Sequence, residues 1–505
     1  MNHWLIMPIV LPAVLGPLLI MLGRIDHVLA RILSLAGCVA LIAISVGLLQ
    51  QADSGPQTYA LSAWVAPFGI LLVLDRLSAV MLVLTAVLAT VVLLYAMAGW
   101  DRRGRHFHAL YQFQLMGING AFLTGDFFNL FVFFEILLIA SYGLMVHGGG
   151  ADRLRAGVQY VIVNLVGSTL FLIAVGLIYS VTGTLNMADL ALKVPQVSSD
   201  DLALLQVGAL LLLLVFGVKA ALVPVHFWLP DTYAQAPAPT AALFAILTKV
   251  GAYCILRLYV LAFGAQAGAS AWLAQEWLLP AAMVSLTLGL VGVLAAKRLG
   301  QLASFSVIGS MGTVLTAIAL FTPTATAAAL YYMLHSTLAA AALFLLTDLV
   351  RERRGHHSDA LTVAPVFAHR SLLAAAFFVA AIAMAGLPPL SGFLGKLLIL
   401  QSAWPTPYAF DVYLALLSTA LLGIIGFVRA GSTLFWKSTA QQGRIEAEGV
   451  SHSVLPWVAV GLLLSGIVAL TVGAGGVHDY LSQTAQQLYQ PQLYINAVLF
   501  PQGGQ

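Results

Sequence analysis

The sequence predicts an all-α polytopic membrane protein with about fourteen transmembrane helices, and three observations carry that prediction. The chain of 505 residues is 61% hydrophobic and only 8% charged, with a mean hydropathy of +0.97, whereas a soluble domain carries about 25% charged residues. Apolar runs of about 20 residues, the length that crosses a ~30 Å hydrocarbon core, recur from end to end. Transmembrane strands would instead be segments of ~10 residues alternating in polarity, a pattern this chain lacks. No stretch is polar and long enough for a soluble domain, so 1–505 reads as a single membrane domain.

In chain order, the apolar runs place spans at 4–23, 29–50, 77–98, 108–124, 126–146, 157–181, 203–224, 240–262, 277–296, 300–321, 326–349, 371–404 (interrupted), 409–436 and 453–475. The first run follows no basic segment and precedes no small-residue cleavage site, so it reads as a retained span rather than a signal peptide. Residues Gln51–Ala66 read as a loop. The connection Lys437–Ser451 and the stretch Gly476–Gln505 read as polar tails without a chemistry motif. Cys38 and Cys254 lie inside apolar spans without a CxxC pattern and read as small core residues. A net charge of +3 gives no reason to invoke nucleic acid.

The basic residues test this placement. Of 22 Lys and Arg, fifteen fall on alternate connections: Arg24 and Arg31, the Arg102–Arg105 group, Arg153 and Arg155, Lys297 and Arg298, the Arg351–Arg370 group, Lys437 and Arg444. Arg76 and Lys193 fall on the opposite side. By the positive-inside rule the basic connections are cytoplasmic and both termini are not.

Five cations remain within spans. Arg257 and Arg429 sit towards helix ends, where a long side chain can snorkel to the interface. Lys219, Lys249 and Lys396 do not. Glu135, in GDFFNLFVFFEILLIASY, lies ~13.5 Å along a helix from Asp126, near mid-membrane. Each such charge costs about 2.5–3.5 kcal/mol, so these four sum to roughly 10 kcal/mol and mark a functional site. Interhelical staples are the plain alternative, but one mid-span carboxylate cannot pair three mid-span lysines. Proton relay fits better. Low dielectric favours a neutral amine while a nearby carboxylate favours the ammonium, so their separation controls when the proton is held. His335 in YYMLHSTL and His226 in VPVHFW add relay capacity. Asn164, Ser168 and Thr169 in VNLVGST can hold water along the route, against the alternative that hydroxyls bond their own backbone. Asp348, near a cytoplasmic end beside Arg351, reads as an ion pair or cap.

Pro224 closes one lysine-bearing span and Pro388-Pro389 interrupt another, freeing carbonyls at membrane depth. Interrupted helices in two halves of a chain point to a transport site. The halves 108–262 and 277–436 each hold five spans, and because five is odd, two consecutive units must be inverted; 453–475 is a C-terminal span.

The stretches GDFFNLFVFFEILLIASYGLM, VNLVGSTLFL, KAALVPVHFWLPDTYAQAPAPTAALFAILTKVGAY and GLPPLSGFLGKLLIL resemble the antiporter-like family. That family is shared by Mrp-type multisubunit cation/proton antiporters and the proton-pumping subunits of respiratory NADH:quinone oxidoreductase. The likeness runs from about Leu74 to Arg429, and the Glu135 segment is most similar to the D subunits of the Mrp (Pha) branch. The resemblance implies fourteen helices in two inverted five-helix repeats, with helices 7 and 12 broken. It also implies a Glu135–Lys219 pair and an axis continuing through Lys249, His335 and Lys396. A further lysine that many members carry after the eleventh-helix histidine is Ala340 here, and SFS at Ser304–Ser306 stands where many have His or Tyr. The relay between His335 and Lys396 therefore leans on water.

The reading is a proton-translocating subunit of a monovalent cation (Na+ or K+)/proton antiporter in a bacterial plasma membrane, partnered by a large antiporter-like subunit and several small membrane subunits. No Walker A, flavin, haem or cluster motif is present, so no cofactor and no enzymatic step are expected; GFLGK at Gly392–Lys396 lacks phosphate-loop spacing. Two alternatives are a pumping subunit of a redox complex, whose middle pumping subunit usually has glutamate where this chain has Lys396, and a non-transporting structural subunit.

Overall fold

Carboxylates at helix heads set the frame of the fold. The computed structural model describes residues 3–23, 25–61, 64–440, 445 and 453–500; Arg24 and Arg444 lie outside them. Asp26 accepts from the amides of Val28 and Leu29 at the head of α2 (His27–Gln51), which follows α1 (Met7–Leu22). Asp75 forms a reciprocal capping box with Ser78 at the head of α3 (Arg76–Ala96). Next comes α4 (Phe107–Leu123), and Asp126 caps α5 (Phe127–Met145) through the Asn129 amide at 2.7 Å.

The chain continues as α6 (Ala151–Thr182), α7 (Met187–Lys193), α8 (Ser199–Ala220), α9 (Leu229–Gln235), α10 (Ala238–Phe244) and α11 (Leu247–Leu261). The second half holds α12 (Gln275–Ala295), α13 (Leu299–Ile318), α14 (Pro323–Arg353), α15 (Arg370–Ala385), α16 (Ser391–Ala403) and α17 (Ala409–Gly431). The last helices are α18 (Leu455–Val472), α19 (Ala474–Leu488) and α20 (Pro491–Leu499).

Among the described residues, twelve helical segments are long and apolar enough to cross a membrane. Two further spans placed from the sequence are shorter helices: α4 has 17 residues, and the interrupted span is α15 and α16, of 16 and 13. Nearly every residue of α3, α10, α11, α13 and α14 is buried, so these form the centre. On the outer helix α6, Val158, Ile162, Leu165 and Leu172 point outwards at helical spacing, an apolar face suited to lipid. The protein is a mostly helical, multi-span membrane protein.

Two helix hairpins are packed in the same way. In α4 against α5, a Cβ at Gly120 would lie 2.2 Å from the Phe133 ring, and one at Gly117 2.5 Å from the Leu137 amide. In α12 against α13, a Cβ at Gly292 would lie 2.2 Å from the Phe305 ring, and one at Gly289 2.3 Å from the Gly309 amide. The same offset separates 117 from 289, 120 from 292, 133 from 305 and 137 from 309. Any larger residue would force either hairpin apart.

The ends of α8 and α15 are also alike. Each stops at a left-handed residue, Ala221 (φ 54°) or Gly386 (φ 76°). In each case the next amide reaches back five residues, Leu222 to Gly217 at 2.8 Å and Leu387 to Ile382 at 3.0 Å. This is the Schellman closure of a helix. A proline follows three residues after the left-handed one, Pro224 and Pro389. Helix resumes at Leu229 and at Ser391.

Four sequence expectations need correction. Gln51–Ala66 is more than a loop, because β1 (Gln57–Ala60) pairs antiparallel with β2 (Leu71–Leu74), Gln57 opposite Leu74. The stretch after Gly476 is not a plain polar tail: its described part continues α19 and forms α20, whose apolar faces bury Leu481, Leu488, Tyr494 and Ile495. Arg257 does not snorkel. It is 4% exposed and forms a two-pronged ion pair with Asp75, with the Tyr253 hydroxyl at 3.2 Å. Asp348 pairs with no arginine among the described residues and accepts instead from the Trp100 indole at 2.6 Å and the Tyr95 hydroxyl at 2.9 Å. Arg429 does reach out of its helix, to the Ala296 carbonyl at the end of α12, at 2.6 Å.

Candidate functional site

The mid-membrane charges gather around α6 in the first half of the chain. Asn164 and Ser168 are four residues apart and share one face of that helix. The Lys219 ammonium, in the last turn of α8, donates to Asn164 Oδ1 at 2.9 Å. Asn164 Nδ2 donates to the Tyr160 carbonyl at 2.9 Å, which fixes the amide with its oxygen towards the lysine. One turn further on, the Ser168 hydroxyl donates to Glu135 Oε1. Glu135 and Lys219 make no direct ion pair among the described residues, yet the carboxylate lies within electrostatic reach of the ammonium. A short amide–hydroxyl ladder on α6 thus stands between the two charges. Thr169 takes no part; its hydroxyl bonds back to the Leu165 carbonyl.

Lys219 also lies 5.6 Å from the centre of the Phe134 ring, within range of a cation–π contact. Beside it is a cavity of about 20 Å³ lined by Tyr160, Asn164, Lys219, Trp228, Leu247 and Val250. That is room for about one water, but almost all of its wall is apolar. Leu247 and Val250 flank Lys249, so the cavity adjoins the α11 turn that carries the next lysine. Lys249 is fully buried, and its ammonium donates to the Thr248 hydroxyl at a long 3.4 Å.

In the second half, His335 on α14 is fully buried and bonds Ser391 Oγ through Nδ1 at 2.8 Å. Lys249 and Lys396 both lie within electrostatic reach of this imidazole. Lys396 on α16 donates to the Ala385 carbonyl at 2.9 Å, an orphan acceptor at the C-terminal end of α15 where a cation is favoured. The methylenes of Lys396 pass over Gly386, where a Cβ would lie 2.7 Å from its Cδ. Ser304 and Ser306 bond back to their own helix, and Ala340 is fully buried.

The residues singled out in the sequence therefore fall into two groups. Glu135, Ser168, Asn164 and Lys219 are joined around α6, while Lys249 on α11 and Lys396 on α16 are linked only by electrostatic reach to His335 on α14. His226 stands apart: it is half-buried in the turn after α8, and no hydrogen bond joins it to a lysine among the described residues. Sequence reasoning missed Ser391, the partner of His335, and Asp75, the partner of Arg257. Asp75 had a readable signal as the cap in LDRLS, but nothing in the sequence aimed it at a helix 182 positions away.

These arrangements can hold and pass protons, and no cluster of carboxylates and carbonyls around them suggests a bound monovalent cation among the described residues. A family model described as "NADH:quinone oxidoreductase/Mrp antiporter, TM" matches residues 124–423. The chain is 40% identical to the probable K(+)/H(+) antiporter D subunit of Rhizobium meliloti, over 99% of this chain and 98% of that one. It is 38% identical to the Na(+)/H(+) antiporter D subunit of Bacillus subtilis, over 99% and 100%. It also superposes on a chain of the Mrp complex from Dietzia sp. DQ12-45-1b with a TM-score of 0.87, at 26% identity and over 99% and 100% of the two chains. On sequence and on fold together, the chain belongs to the NADH:quinone oxidoreductase/Mrp antiporter transmembrane family.

Proposed function

We propose that this chain is the D subunit of an Mrp-type multisubunit antiporter, translocating protons in exchange for Na+ or K+ under the proton motive force. The single observation that carries this reading is the Glu135–Ser168/Asn164–Lys219 assembly, continued by two lysines and a histidine that have no carboxylate at ion-pair distance among the described residues. The names of the relatives support the exchange of K+ or Na+ for protons. Lacking nucleotide or redox motifs, the chain takes its energy from ion gradients: each charge moved is worth ~2.3 kcal/mol per 100 mV.

In this reading Glu135 sets when Lys219 holds a proton. With the carboxylate charged and close, the ammonium is favoured; when the carboxylate is neutralised or withdrawn, the dry surroundings favour the amine and the proton leaves. The proton then passes from Lys219 to Lys249 on the neighbouring α11, and His335 relays between Lys249 and Lys396. His226 is at most a supporting group. The frame is two inverted five-helix repeats, 108–262 and 277–436, with the seventh and twelfth helices interrupted. Support comes from the matched glycine-packed hairpins and the matched closures at Ala221 and Gly386. The chain then sits in a bacterial plasma membrane with both termini non-cytoplasmic, beside a large antiporter-like subunit and several small ones.

The test is transport in inverted vesicles containing the whole complex. Glu135→Ala and Lys219→Ala are each expected to abolish cation-dependent ΔpH while the complex still assembles. Normal transport in both variants would overturn the relay, and failure of assembly would favour a stapling role. A redox-complex subunit remains the competing reading because the family includes such proteins. It is favoured if the native chain co-purifies with NADH- or cluster-binding subunits.

A further inference from the structure

Away from the lysine axis, one cluster at the basic end of the molecule has the composition and spacing of a metal centre. Asp101 lies between α3 and α4, 1% exposed. Its Oδ2 is faced by two imidazole nitrogens, Nε2 of His27 at 3.3 Å and Nε2 of His108 at 3.1 Å. The three ligand atoms all lie within 4.8 Å of one another. Tetrahedral zinc with ligands at about 2.0–2.1 Å separates neighbouring ligand atoms by roughly 3.3–3.4 Å. Two edges of that tetrahedron, from Oδ2 to each nitrogen, are therefore already present.

The surroundings fit a site with one open position. The cluster opens into a cavity of about 440 Å³ whose rim carries Arg105 and His106, so water can supply a fourth ligand. Arg31 donates through Nε to Asp101 Oδ2 at 2.6 Å and through Nη2 to Oδ1 at 2.7 Å, which fixes the carboxylate and leaves the second lone pair of Oδ2 facing the imidazoles. His108 is 5% exposed and its Nδ1 has no hydrogen-bond partner among the described residues.

We propose that His27, Asp101 and His108 form a binding site for a borderline divalent transition metal, Zn2+ or an ion of its class, that ties the head of α2 to the head of α4 at the basic end of the protein. Two imidazoles and one carboxylate suit such ions and do not suit Mg2+ or Ca2+, which call for oxygen ligands. The site is built on α2, α4 and the turn before α4, elements that carry none of the axis residues, and neither uses nor requires the axis.

The test uses the untagged full-length chain in its complex, with Co2+ as spectroscopic probe and Zn2+ as competitor. The neighbours His356 and His357, whose rings lie 4.1 Å apart, are first replaced by Gln to remove a competing site. One Co2+ per chain is expected to give the strong visible bands of four- or five-coordinate cobalt, and Zn2+ to displace it. His27→Gln and His108→Gln should each weaken Zn2+ binding by at least tenfold, and Arg31→Lys by about 10- to 100-fold through loss of outer-shell support. Weak six-coordinate cobalt spectra in the otherwise native chain, or Zn2+ affinity unchanged in both histidine variants, would overturn the proposal. The cobalt spectrum needs no change at the site, so it decides the matter even if the variants misfold.

Discussion

Lys219 and Lys396 lie beside two turns that close in the same way, but on opposite sides of them. Lys219 precedes the left-handed residue Ala221 by two positions and still belongs to the helix that ends there. Lys396 follows the left-handed Gly386 by ten and reaches back to cap the helix that ended, at the Ala385 carbonyl. The chemistry differs accordingly. Lys219 faces an amide oxygen and feels a carboxylate; Lys396 faces a main-chain carbonyl, has an imidazole nearby, and has no carboxylate at ion-pair distance among the described residues. In the proposed relay, one turn geometry therefore serves two different proton environments, one controlled by an anion and the other by a dipole.

The sharpest way to break this comparison is to remove the second lysine. Lys396→Ala is expected to reduce antiport about 100-fold, the lower end of what a positioned proton-transfer group contributes, measured as cation-dependent ΔpH. Transport near the native level would reduce Lys396 to a cap on α15 and leave a single functional half. Next in size is Ser168→Ala, which removes a hydrogen bond to a charged carboxylate worth about 1.5–3 kcal/mol. A tenfold or greater fall in rate is expected, with a shifted pH profile. Ser391→Ala removes a bond between neutral groups, worth about 0.5–1.5 kcal/mol, so only a few-fold fall is expected. Equal effects of the two serine changes would contradict the distinction between an anion-controlled and a dipole-controlled site.

The smallest effect on transport is expected at a fully paired charge outside the membrane spans. Asp359 is 1% exposed and is held by Arg298 at 2.7 Å and Arg351 at 3.2 Å. Burial alone would raise its carboxyl, but the two guanidinium groups pull it down to about 2. A depressed folded value adds stability above the unfolded value of about 4, amounting to about 2 kcal/mol, and this is lost as the pH falls through 2. Asp359→Asn should therefore lower the melting point in detergent at pH 7 by a margin that shrinks at pH 3, with antiport unchanged in the surviving complex. Lost antiport in a stably assembled variant would show that paired charges also serve the relay.

The sequence by itself determined the helical spans and the identity of the expensive charges. Hydropathy over about 20 residues and the cost of a charge at mid-membrane are local properties, readable without knowing any neighbour. They picked out Glu135, Lys219, Lys249, His335 and Lys396 before any contact was known. Two exposed-looking stretches misled, because the hairpin of β1 with β2 and the burial of α20 depend on surfaces from distant parts of the chain. The glycines at 117, 120, 289 and 292 were in view, but their shared role is visible only when the opposing ring and amide are placed beside them.

Only the tertiary structure decided the partners. Whether Arg257 reaches the interface or meets Asp75, and whether Glu135 touches Lys219 or stands off behind Asn164 and Ser168, are questions of a few ångströms between helices far apart in sequence. Helix crossing and side-chain reach fix those distances, and neither is written in the local pattern of polar and apolar residues.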